Sequence, residues 1–217
     1  MSLKKLTTNT NMSFMLALLG LTGAVAFTFL GAQDKFEDKE KHLRAALISE
    51  TAVNIIAGVT YVHMMRYVTS TNDTGGNVTV LRYLDWILTT PLLILSFAYY
   101  STYEKNKNKS VTEETNYTPL LSIITLNVIM LAFGFLGETK VISSTTALIG
   151  GFSAFFAMFY QIYKNYVEDN TEEVKFIFKP FMFVWLLYGV AFMLKGNNKS
   201  IMYNMLDLIS KSGFGIF

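Results

Sequence analysis

Seven apolar stretches, each about twenty residues long, follow one another along the chain and are separated by short polar segments. A helix needs roughly 20 apolar residues to cross the hydrocarbon core of a bilayer. The pattern therefore predicts an all-α membrane protein with seven transmembrane helices, called A to G, over residues 12–32, 43–67, 78–101, 117–137, 141–165, 174–195 and 199–217. Little sequence remains between the helices, so we expect one seven-helix domain over residues 1–217.

The composition supports a membrane protein and excludes several other classes. Of the 217 residues, 52% are hydrophobic, and the net charge of +2 is too small to favour a nucleic-acid partner. The chain has no cysteine and only two histidines, which argues against disulfides, thiol catalysis and a metal site. We therefore expect a multi-pass protein of the plasma membrane or another cellular membrane, with the lipid bilayer as its surroundings.

The basic residues of the loops predict how the helices are oriented. Lysine and arginine are more frequent in cytoplasmic loops than in external ones. The A–B, C–D and E–F connections and their flanks carry Lys35, Lys39, Lys41, Arg44, Lys105, Lys107, Lys109, Lys164 and Lys175. The other side carries Lys4, Lys5, Arg66, Lys140, Lys195 and Lys199. This modest bias places the N-terminus outside the cell.

Ionisable residues also stand inside the predicted helices, where they are costly and usually functional. Helix C carries Arg82 and Asp85, and helix G carries Asp207 and Lys211. Residues three or four apart share a helix face, so Asp207 and Lys211 form one polar stripe. Two carboxylates and two cations can form a compensated buried cluster. The alternative is that they are ion pairs that only join helices.

Two segments identify a family. Residues 82–93, with the sequence RYLDWILTTPLL, resemble helix C of the microbial rhodopsins, which include bacteriorhodopsin and proteorhodopsin. Residues 207–211, DLISK, resemble the signature of their last helix, in which the lysine binds retinal. The three functional positions of helix C in this family read Asp85, Thr89 and Ser96, a set similar to that of rhodopsins from giant viruses.

The resemblance implies all-trans retinal, buried at the centre of the bundle and attached to Lys211 as a protonated Schiff base. It implies that Asp85 and Asp207 are the counterions, and that Arg82 balances their charge. Thr89 is expected to bond the carboxylate of Asp85. The residues expected to line the retinal pocket are Trp86, Thr90, Leu93, Met130, Gly134, Trp185 and Tyr188, with Leu93 favouring green absorption.

The proton donor is less clear than the acceptor. Asp85 is expected to accept the proton of the Schiff base, but Ser96 stands where pumps usually have a carboxylic acid. Glu50, on helix B, is the candidate substitute, and Asn54 lies one turn further on the same face. The alternative is that Glu50 lies at the membrane surface. The F–G connection, residues 195–199, lacks the carboxylate pair that releases protons in bacteriorhodopsin.

These features favour a light-driven outward proton pump, a transporter of protons rather than an enzyme. A light-gated cation channel is the first alternative, because Ser96 is not a donor and a polar path is conceivable through Glu50, Asn54 and Asn204. A photosensory receptor is the third possibility. Assembly into a homo-oligomer is expected as well.

Overall fold

The computed structural model describes residues 3–71, 73–107, 109 and 113–213, with side chains for all of them except residues 3–7 and 39. The described chain contains seven α-helices, which confirms the predicted class. They are α1 (Leu3–Ala32), α2 (Lys41–Thr71), α3 (Gly76–Asn106), α4 (Leu120–Glu138), α5 (Ser144–Ile162), α6 (Glu172–Met193) and α7 (Gly196–Asp207). A short 3-10 turn at Asp38–Glu40 precedes α2, and π-helical turns follow α5 at Tyr163–Val167 and α7 at Leu208–Gly213.

Several helices extend beyond the apolar stretches that predicted them. The largest difference is in α1, which begins at Leu3 instead of residue 12. The third helix has 31 residues, which is about 46 Å at 1.5 Å per residue and exceeds the hydrocarbon thickness of a bilayer. Hydropathy marks only the part of a helix that lies in hydrocarbon, so the polar ends of these helices were missed.

Six of the described helices, α1 to α6, are long and apolar enough to cross a membrane. The seventh is shorter in its regular part, because the wider turn Leu208–Gly213 continues it. The predicted helix G extended to residue 217, and its last four residues lie outside the described part of the chain.

Each helix packs against its neighbours in the sequence, and α7 closes the bundle by contacting both α6 and α1. Consecutive helices run in opposite directions because the connections between them are short. The start of α1 and the connections α2–α3, α4–α5 and α6–α7 lie at one end, called the N-terminal end below. The remaining connections lie at the opposite end. Contacts agree with this arrangement: Thr74 donates to Asn197 at the N-terminal end over 3.1 Å, and Asn170 donates to Ser101 at the opposite end over 2.8 Å.

The largest apolar core lies towards the opposite end, between α3, α5 and α6. The rings of Phe97 and Phe181 stack there, with their centres 5.2 Å apart and their planes 3° from parallel. Trp185 packs beside Phe181 with a centre-to-centre distance of 5.2 Å. Dense aromatic packing of this kind stabilises this half of the bundle.

Candidate functional site

The predicted lysine lies at the middle of the bundle, on the π-helical turn that follows α7. Only 1% of the Lys211 side chain is exposed. Its Nζ donates a hydrogen bond to Oδ2 of Asp85 on α3 and lies 3.6 Å from Oδ1 of Asp207. Buried charges need partners of opposite sign. The structure therefore brings together the lysine and both carboxylates that the sequence singled out.

Asp207 accepts hydrogen bonds from groups on three other helices. Its Oδ2 accepts from the Tyr61 hydroxyl over 2.7 Å and from Nη1 of Arg82 over 3.3 Å. Its Oδ1 accepts from Nε1 of Trp86 over 2.9 Å and from the Tyr188 hydroxyl over 2.8 Å. A carboxylate that accepts this many hydrogen bonds is held as an anion in one orientation. Asp207 is therefore a fixed negative charge.

Asp85 has a different environment from Asp207. One of its oxygens contacts Lys211, while the other, Oδ1, is buried without a hydrogen-bond partner among the described residues. Thr89 does not orient this carboxylate as expected. Its hydroxyl donates instead to the backbone carbonyl of Asp85 over 2.8 Å, because a threonine inside a helix can bond the carbonyl four residues earlier. The free oxygen leaves Asp85 able to accept a proton.

Arg82 continues the polar cluster from Asp207 towards the N-terminal end. Its side chain is 3% exposed, and its Nη2 donates to Oδ1 of Asn204 over 2.8 Å. Asn204 in turn donates to the Ser13 hydroxyl over 2.9 Å. Arg82 therefore balances the charge of Asp207, since its ion pair within the described chain is with that residue, over 3.3 Å, and not with Asp85.

A largely apolar cavity adjoins Lys211 and extends between α3, α4, α5 and α6. All seven predicted pocket residues line it: Trp86, Thr90, Leu93, Met130, Gly134, Trp185 and Tyr188. Leu148 and Phe152 of α5 line it as well. The cavity is thus an apolar space with the amine of Lys211 on its wall.

The residues of this cavity fit retinal, an apolar polyene with an aldehyde at one end. The only amine among the lining residues is that of Lys211, and an aldehyde condenses with an amine. A glycine is needed at position 134, because a Cβ there would lie 2.6 Å from the Tyr83 hydroxyl oxygen. Thr90 is held by a 2.7 Å hydrogen bond from Asn127, which fixes a polar group on the cavity wall.

Glu50 and Ser96 lie together in the other half of the bundle. Glu50 is 6% exposed and Ser96 is 5% exposed, and the Ser96 hydroxyl donates to the backbone carbonyl of Ala46, one turn before Glu50 on α2, over 3.4 Å. Both line a second cavity of about 350 Å³, which also reaches Asp34 on the α1–α2 connection. Glu50 is therefore buried between the helices and not exposed on the outer face of the bundle.

The sequence did not point to several polar residues of the site. Tyr61 bonds Asp207 from α2, and Tyr203 bonds Glu138 from α7 over 3.0 Å. Tyr61 could have been found, because it shares a helix face with Glu50 eleven residues earlier. Glu138 could not have been predicted from the sequence, because hydropathy places it in a polar loop. Only the folded structure shows that the end of α4 lies beside α7.

The fold and the site define a membrane protein that can hold an aldehyde chromophore on a buried lysine. Comparison with known proteins agrees with this class. The family model described as bacteriorhodopsin-like protein matches residues 8–217. The chain therefore belongs to the bacteriorhodopsin-like family and is a microbial rhodopsin, a family whose chromophore is retinal.

Relatives with different activities resemble this chain to a similar degree. Green-light absorbing proteorhodopsin of Gamma-proteobacterium EBAC31A08 is 26% identical over 95% of this chain and 84% of its own length. Sensory rhodopsin-2 of Natronomonas pharaonis is 26% identical over 93% and 84%. The crystal structure of viral rhodopsin OLPVRII matches with a TM-score of 0.81 at 25% identity, covering 95% of this chain and 94% of that one. The proton pumping rhodopsin AR2 from Acetabularia acetabulum shares the fold, with a TM-score of 0.75 at 20% identity over 96% and 92%.

Proposed function

We propose that this protein is a light-driven outward proton pump that carries all-trans retinal on Lys211. The observation that carries the proposal is the difference between the two carboxylates beside the lysine. Asp207 is held by four donors, whereas Asp85 contacts Lys211 and has one oxygen without a partner in the described part of the chain. Retinal, when bound, supplies light absorption and a change of geometry at Nζ.

Asp85 is the group that takes the proton from Nζ of Lys211. Turning Nζ away from its carboxylate removes the pairing that holds the proton there. Asp207 stays an anion because its partners are fixed, so the acceptor is the carboxylate with a free oxygen. Transfer to Asp85 moves the proton towards the N-terminal end, where Arg82 and Asn204 continue the polar cluster. With the N-terminus outside the cell, this direction is outward.

Glu50 is the group that returns a proton from the opposite end. A buried carboxyl costs least in its protonated form, so Glu50 can hold a proton where Ser96 cannot. A cavity of this size can hold water that links Glu50 to the surface at Asp34. Ser96 lines the same cavity as Glu50 and donates to the carbonyl of Ala46, one turn earlier on α2.

Replacing Glu50 with glutamine should slow the second half of the cycle. Without an internal acid the proton must come from bulk water, so we expect recovery of the visible absorption after a flash to slow by about tenfold or more. The slowed recovery should accelerate as the pH falls. Flash spectroscopy between neutral and acid pH measures both effects.

Glu104→Gln is the matched control, because Glu104 is also a buried carboxyl near the opposite end but is paired with Lys107 over 3.4 Å. It should leave recovery unchanged. A Glu50→Gln protein that recovers as fast as the wild type, at a rate independent of pH, would remove Glu50 from the donor role.

A light-gated cation channel is the second candidate, since Ser96 is not an acid and the second cavity reaches deep into the bundle. A channel needs a continuous polar path. Here Leu93 borders both cavities, and the stacked rings of Phe97 and Phe181 fill the space beside it. These apolar groups favour a pump.

Voltage clamp of cells that express the protein distinguishes the two candidates. A pump gives an outward photocurrent over a wide range of membrane voltage, because light and not the gradient drives the proton. A photocurrent that reverses sign near the equilibrium potential of a cation would establish a channel. A pigment that gives no current would favour a photosensory receptor.

A further inference from the structure

A partly buried polar cluster lies at the N-terminal end, apart from the lysine and its counterions. Glu138 ends α4, and both of its oxygens pair with Nζ of Lys199 on α7, at 3.0 and 2.8 Å. The Tyr203 hydroxyl donates to Oε1 of Glu138 over 3.0 Å. The cluster therefore joins α4 to α7 through one carboxylate with three charged or polar contacts.

Glu138 is an unusual carboxyl for its position. The chain has sixteen Asp and Glu residues, all within the described part, and only Asp73 and Glu138 lie at the N-terminal end. Asp73 is exposed, whereas the Glu138 side chain is 10% exposed. Glu138 is thus the one carboxyl of the described chain that is largely shielded from solvent between the counterions and this end.

Tyr203 connects this cluster to the counterions. It is 4% exposed. The centre of its ring lies 5.2 Å from Cζ of Arg82 and 5.0 Å from the ring centre of Trp86. Both of those residues bond Asp207. The ring of Tyr203 therefore packs against Arg82 and Trp86, which bond Asp207, while its hydroxyl donates to Glu138.

We propose that Glu138 is the exit carboxyl, which accepts the outgoing proton through Tyr203 and passes it to water outside. This inference rests on the proposed pump. A water on the Arg82 side takes the proton that leaves Asp85 and gives a proton to Oη of Tyr203 as the original hydroxyl proton moves to Oε1 of Glu138. Tyr203 is unchanged by the exchange, and Glu138 gains one proton. Glu138 then passes the proton to external water and again forms its ion pair with Lys199.

The other polar route to the N-terminal end lacks such a group. It leads from Arg82 to Asn204 and Ser13, whose hydroxyl donates to the carbonyl of Thr10 over 2.7 Å. Amides and hydroxyls at neutral pH pass protons on but do not hold them. The Tyr203 route ends on a titratable carboxyl, and this favours it as the exit.

The test compares the time at which protons appear in the medium with the time at which Lys211 loses its proton. A pH-indicator dye outside sealed vesicles and flash spectroscopy give the two times for the same protein. Glu138→Gln should delay proton appearance by about tenfold or more, with the absorption maximum and the deprotonation of Lys211 unchanged. Asp73→Asn, the same chemical change at an exposed site of the same end, should change neither.

Two further variants separate proton transfer from a structural role. Glu138→Asp keeps a carboxyl and should restore most of the release rate. Lys199→Gln keeps Glu138 but removes the cation that pairs with it. The transferred proton should then stay on Glu138 longer and give an infrared C=O band of a carboxylic acid. Glu138→Gln should lack this band.

Proton release from the Glu138→Gln protein with wild-type timing would show that Glu138 is not the exit carboxyl, while leaving the pump intact. Slowed release in Ser13→Ala instead would place the exit on the route through Asn204 and Ser13. A wild-type protein that releases no proton after a flash would overturn the pump and this inference together.

Discussion

Replacing Lys211 with alanine is expected to abolish the visible absorption of the protein incubated with all-trans retinal. The Lys211 amine is the only one that lines the apolar cavity, so no other residue there can form the covalent bond. Without this bond a retinal molecule in the cavity remains an aldehyde, which absorbs in the near ultraviolet. Absorption spectra of the purified protein with retinal measure the effect.

Lys164→Ala is a suitable control for this variant. Lys164 is an exposed residue that pairs with Glu168 over 2.8 Å and does not line the cavity. The control protein should form pigment normally. A Lys211→Ala protein that keeps its colour would show that retinal is attached elsewhere, and the assignment of the site would be wrong.

Replacing Asp85 with asparagine is the second change with a large expected effect. The negative charge of Asp85 contacts the Lys211 cation and stabilises positive charge at Nζ more than charge spread along the polyene. Its removal should shift absorption to longer wavelength. It also removes the proton acceptor, so we expect light-driven transport to fall by roughly a hundredfold or more. Spectra and light-induced pH changes test the two parts separately.

Asp207→Asn provides the contrast, because the two carboxylates are proposed to have different roles. Loss of the Asp207 charge leaves Arg82 buried without its anion and weakens four hydrogen bonds. We expect lower pigment stability from that change, since removing one partner of a buried pair typically costs 3–5 kcal/mol. Asp85→Asn protein that transports protons at the wild-type rate would remove Asp85 as the acceptor.

Much of the fold was predictable because a bilayer imposes strong constraints on sequence. Each crossing needs about twenty apolar residues, and the seven stretches that meet this length all form helices. The helix ends were predicted less well, because polar residues can continue a helix outside hydrocarbon, as they do at Leu3–Ala32. The π-helical turn around Lys211 leaves no mark in the hydrophobic pattern.

The centre of the site was predictable for a related reason. Charges inside apolar stretches are rare, so Asp85, Asp207 and Lys211 stand out, and the structure brings them into contact. Hydroxyl contacts were harder to predict, since the Thr89 hydroxyl has a backbone carbonyl within reach as well as a carboxylate. Glu138 was not found because its contacts with α7 depend on the packing of helices distant in sequence.

The most direct test of the proposed function is the light-induced pH change of an unbuffered suspension of cells that express the protein and are supplied with all-trans retinal. An outward proton pump acidifies the medium in the light, and a protonophore abolishes the acidification because it lets protons return. We predict this result. Illumination that leaves the pH unchanged, or that makes the medium alkaline as protons enter down an existing gradient, would contradict outward pumping and favour a sensor or a channel.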